Sequence, residues 1–108
     1  MMKVDTSALG DVIVQCFDNS TDGRFAREQQ DDFFAKGTRL RELQKKLLSA
    51  HFNDGTQRVV DANVEVKAVN ADLKASATSL AQTATTLNNI AHLVGTLDQL
   101  LNVAATVV

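Results

Sequence analysis

The sequence has no proline, no tryptophan and no tyrosine, and its 108 residues include only one cysteine and five glycines. Proline and glycine are the strongest helix breakers, so their scarcity leaves long helices unpunctuated. A lone cysteine, Cys16, has no internal disulfide partner and fits a reducing compartment. Net charge is −2, which supplies no basic field for nucleic acid, and no nucleic acid partner is expected. No window reaches the roughly 18 apolar residues of a spanning helix. The opening "MMKVDTSALGDVIVQCF" sets Asp5 and Asp11 around a short apolar run, unlike a signal peptide. A protein that is cytoplasmic when made is expected, with signal-less secretion as the alternative.

What is present is a globular balance, 44% hydrophobic and 22% charged, which is too apolar for a disordered chain. Two dense turn signals, "DNSTDG" at 18–23 and "NDG" at 53–55, divide the chain into three pieces. They imply one helical domain over 1–108, with helices at about 6–18, 24–52 and 56–107. In the first, Leu9, Val12, Ile13, Cys16 and Phe17 share one helical face, with Thr6 or Ser7 as the cap. The run "VIVQCF" is β-branched enough for a strand, but no second strand is evident to pair with it. In the second, Phe33, Leu40, Leu43, Leu47 and Ala50 form a stripe, with Ala26 one heptad before Phe33. The other face is charged, acidic early and basic late, which complements the helix dipole. Arg39, Arg41, Lys45 and Lys46 make either a solvated face or a contact for an acidic partner. Gly37 marks a bend or a close helix contact.

The third piece carries the clearest pattern. Val59, Val66, Leu73, Leu80, Leu87, Val94, Leu101 and Val108 recur every seven residues. Three places after each of the first seven come Ala62, Val69, Ser76, Thr83, Ile90, Leu97 and Ala104, the 4-3 spacing of a coiled-coil seam. From Leu93 onward a third column, Leu93, Leu100 and Val107, turns apolar, and a stripe this wide can touch two helices. Val66, Leu73, Leu80, Leu87, Ile90, Leu93, Val94, Leu97, Leu100, Leu101 and Ala104 are therefore the expected interaction seam. The fold class that follows is all-α. It is an antiparallel helical hairpin or bundle with a short N-terminal helix and a long C-terminal heptad-repeat helix.

Lengths leave a mismatch. The second helix covers the third only to about Thr85, and the first is too short to cover what lies beyond. Either the long helix breaks near "TLNN" (86–89) and folds back, or it stays straight and pairs with other copies. The unbroken heptad phase favours the straight helix.

Chemistry-bearing residues do not converge. His92 and Asp98 lie on different helical faces, and His51 and His92 are far apart, so no metal or cofactor is expected. Cys16 sits on an apolar face and reads as a structural thiol. "AHLVGT" (91–96) resembles the phosphotransfer-domain helix, in which a His precedes a Gly. There the Gly follows by four, whereas Gly95 follows His92 by three and no Lys lies beside it. "ADLKASATSLAQTATTL" (71–87) resembles in texture the coiled coils of chemoreceptor signalling domains and secretion-system translocators. No phosphate loop, nucleophile elbow or catalytic carboxylate pair is visible. The expected function is non-enzymatic association with itself or a helical protein partner. The alternative is a membrane-active or secretion-associated protein whose low-charge C-terminal helix inserts or docks. Against insertion stand Asn88, Asn89, His92, Asp98, Gln99 and Asn102, all costly in hydrocarbon.

Overall fold

The computed structural model describes residues 4–50 and 57–107, without the side chains of 77 and 103–107. Helix α1 spans Thr6–Ser20. Its cap is Asp5, whose carboxylate accepts the Ala8 amide at 3.0 Å, and not Thr6 or Ser7. Leu9, Val12, Ile13 and Cys16 are buried, as their spacing predicts.

Helix α2 spans Arg27–Ser49. It starts after Arg24 because Arg24 is tied into the preceding turn by Asp22, Nη2 to Oδ2 at 2.7 Å. The Ala26 amide then donates to the Gln29 side chain at 3.2 Å, which satisfies one of the orphan groups at a helix start. Gly37 is a close contact, not a bend. A Cβ built there would lie 3.1 Å from Cys16 Cβ and 3.2 Å from Phe17 Cε1. His51, Phe52 and the 53–55 turn lie outside the described residues.

The third piece corrects the favoured expectation, because it is not one straight helix. Helix α3 spans Gln57–Thr78. Ser79 is extended at φ −138° and ψ 98°, a single 3₁₀ turn covers Leu80–Gln82, and α4 runs over Thr83–Val107. The break falls at Ser79, before residues 86–89, which are helical. The chain reverses there. Asn89 Nδ2 donates to Asp72 Oδ2 at 2.7 Å, and further along α4 His92 meets Glu65, earlier on α3. Burial supplies the reason. Each Leu or Val side chain taken from water is worth about 1.5–3 kcal/mol, and folding back buries Leu87, Ile90, Leu93, Leu97 and Leu100 of α4 within one chain.

Around the bundle the order is α1, α2, α4, α3, and each helix packs on two neighbours. The pairs α1/α2 and α3/α4 are antiparallel hairpins. Gln44 near the end of α2 reaches the Thr6 carbonyl at 3.0 Å. The pairs α1/α3 and α2/α4 run parallel. Asn63 accepts the Asp5 amide at 2.7 Å, and Asn70 donates to the Ala8 carbonyl at 3.1 Å. Arg39 meets Asp98 at 3.0 Å. The body measures 44 × 20 × 19 Å, well short of the roughly 75 Å that an unbroken third helix would span at 1.5 Å per residue.

Candidate association surface

The expected seam is now placed residue by residue. Val66, Leu73, Leu87, Ile90, Leu93, Leu97 and Leu100 are buried in the chain's own core. Val94 and Leu101 pack on it partly buried. Leu80, on the 3₁₀ turn, is 44% exposed, and the side chain of Ala104 lies outside the described residues. The break also turns the stripe. In α3 the core takes the Val59, Val66, Leu73 column together with Ala62, Val69 and Ser76. In α4 it takes Thr83, Ile90 and Leu97 together with Thr86, Leu93 and Leu100. The widened apolar stripe touches two helices, α2 and α3, both of the same chain.

Near the bend the core is lined by hydroxyls. Ser76, Thr83 and Thr86 are buried. Each donates within its own segment, to the carbonyls of Leu73 at 2.9 Å, Leu80 at 2.7 Å and Gln82 at 3.1 Å. Local bonds of this kind satisfy the buried hydroxyls without tying α3 to α4. Only Thr86 also reaches across, to the Asp72 carbonyl at 3.4 Å.

With most of the seam used internally, exposed large apolar side chains remain at Val14 on α1, Phe34 and Leu48 on α2, Val64 on α3 and Leu80 on the 3₁₀ turn, and Val14 and Phe34 belong to the α1–α2 side. Val14 is 58% exposed and Phe34 is 57% exposed. Phe17 joins them: its ring meets Phe34 edge-on with centroids 5.8 Å apart, and it lies one helical turn from Val14. The sequence pattern missed Val14 and Phe34 because each falls off its helix's apolar stripe. That was also the available signal, an apolar side chain on a face otherwise polar. Charge divides across this surface. Helix α1 contains Asp11 and Asp18 and no basic residue, while Arg41 and Lys45 stand exposed on α2.

The other polar candidates have structural partners. His92 sits exposed against Glu65, and Asp98 pairs with Arg39. Cys16 is buried, and burial pushes its thiol from 9.0 up to about 12, which leaves it protonated and unreactive. A cleft of about 310 Å³ between α3 and α4 is lined by Arg58, Asp61, Glu65, Thr96, Gln99 and Leu100. Among the described residues no three His, Cys, Asp or Glu side chains group as metal ligands would. No described helix is long and apolar enough to cross a membrane. No protein-family model, characterised protein or solved structure matches the chain.

Proposed function

We propose that this chain is a non-enzymatic helical protein that works by helix-to-helix association, and that its partner is a second copy of itself. The observation that carries the reading is the exposure of Val14 and Phe34 around the partly buried Phe17 ring. Aromatic side chains are enriched in interface cores, and an exposed Phe beside an exposed Val is a costly arrangement in water. A two-fold contact presents the same surface twice. In the proposed arrangement the acidic α1 of one copy faces Arg41 and Lys45 of the other, so that opposite charges meet at the rim. The seam that suggested association is occupied by the chain's own helices, so this reading places association on a different face.

Light scattering across a concentration series tests it. The wild-type mass is expected to rise above the 11.7 kDa of one chain, and Phe34→Glu should hold it at one chain with unchanged helicity. A wild-type chain that stays at a single mass at every concentration contradicts the proposal. So does a Phe34→Glu chain that associates as well as wild type.

A further inference from the structure

We propose that α4 exchanges between two copies of the chain, with residues 79–82 as the hinge that straightens. This goes beyond the α1–α2 surface and does not depend on it. Three observations carry it. First, the bend has no covalent cause. From Leu73 to Ile90 the sequence has neither Gly nor Pro, only Ser79 leaves helical geometry before a 3₁₀ turn, and its side chain makes no capping bond. Second, the heptad column runs in phase through the bend, with Leu73 before it, Leu80 on it and Leu87 after it. In the bent chain Leu80 is the member of that column left 44% exposed. Straightening returns it to line. Third, the buried hydroxyls of Ser76, Thr83 and Thr86 beside the bend each bond within their own segment. These local bonds survive separation of α3 from α4, and the bonds that Thr86 and Asn89 make across to Asp72 are remade on the second copy.

The energetics follow from symmetry. An α4 that leaves its own chain and docks on the same surface of a second copy remakes every contact it lost. Only the hinge and the concentration then decide the balance, as in domain swapping generally. A hinge that is a short interruption between two helices of one heptad phase tips that balance toward exchange. Two straightened helices over residues 57–107 cross at the hinge, where each Leu80 can be covered by the other copy.

The hinge offers variants that act in opposite directions. Leu80 opens the 3₁₀ turn, a position where proline is well accommodated, and the extended Ser79 before it has the backbone that precedes proline readily. Leu80→Pro therefore keeps the bent chain folded. In a straight helix the same proline removes a bond and clashes with the preceding turn. It is expected to lower the swapped-dimer association constant by about a hundredfold or more, since two hinges are affected. Ser79→Ala raises helix propensity without removing a cap, and should increase that constant about fivefold.

The test is refolding at high concentration, followed by light scattering and by the distance between spin labels at Ala68→Cys and His92→Cys. Labelled chains are diluted with excess unlabelled chain, and buried Cys16 stays unlabelled. These two positions line one cleft in the bent chain and stand about 36 Å apart on a straight helix. Exchange predicts a dimer with the long intrachain distance, lost in Leu80→Pro and enhanced in Ser79→Ala. A dimer that keeps the short distance, a dimer unaffected by Leu80→Pro, or no dimer at all overturns the inference. A short-distance dimer that Phe34→Glu abolishes would leave the proposed function standing while exchange falls.

Discussion

Gly37 is the residue where added volume should matter most. It lies in the contact between α1 and α2, where an added Cβ would come 3.1 Å from Cys16 Cβ, an atom fixed to the backbone. Its helix penalty of about 1 kcal/mol relative to Ala is the cost of that approach. Gly37→Leu should destabilise the fold by roughly 2–3 kcal/mol through overpacking, read as a lowered urea midpoint. Cys16, in the same contact, gives stability a pH dependence. Its pKa lies near 9.0 when exposed and is raised to about 12 by burial. The protonated thiol is the form that the fold stabilises. This contribution is intact below about pH 9 and falls away between pH 9 and 12 as the unfolded chain ionises first. Urea midpoints over that range, against a Cys16→Ala control that lacks the thiol, check the sign. The seam residues divide in the same concrete way. Leu93 is fully buried and Leu80 is not, so Leu93→Ala should cost about 2–5 kcal/mol. Leu80→Ala should stay within about 0.5 kcal/mol of wild type. Equal losses at both positions would mean that Leu80 is as buried as Leu93, which contradicts the exposed 3₁₀ turn.

Elements were legible to different degrees, and the reasons are local. The stripe of α1 was plain because Leu9, Val12, Ile13 and Cys16 keep helical spacing. The second stripe was plain for the same reason through Phe33, Leu40, Leu43 and Leu47. In the third piece the heptad pattern identified the buried residues, since Val66, Leu73, Leu87, Ile90, Leu93, Leu97 and Leu100 all lie in the core. It did not show whose helices cover them. The heptad spacing of the sequence passes through the bend unshifted, as it would in a straight helix, and Ser79 carries no breaker's signature. The Asn pair at 88–89 looked like the better breaking point. Instead Asn89 lies within α4 and bonds to Asp72. The one legible trace of the turn was the apolar third column, Leu93 and Leu100, which marks the rotated stripe. The parallel pairing of α1 with α3 rests on Asn63 and Asn70. Spaced seven apart beside the seam, these look in sequence like ordinary polar flank positions. The association surface was less legible still, because Val14 and Phe34 break the periodicity that made everything else readable.

At the scale of the whole molecule, the described residues form four helices that each pack on two neighbours, and most of the seam is covered by the chain itself. The two proposed routes to a larger assembly are the outer α1–α2 face and an exchanged α4. The two routes make separate demands. Phe34→Glu acts on the first and leaves the hinge untouched, whereas Leu80→Pro acts on the second and leaves the face untouched. Both rest on the fold-back at 79–82. The most direct measurement of it is the Ala68→Cys to His92→Cys label distance in dilute solution, where single chains dominate. Packed helices lie 8–10 Å apart axis to axis, so the bent chain predicts a separation below about 20 Å. A dominant distance near 36 Å, the value for a continuous helix at 1.5 Å per residue, would contradict it.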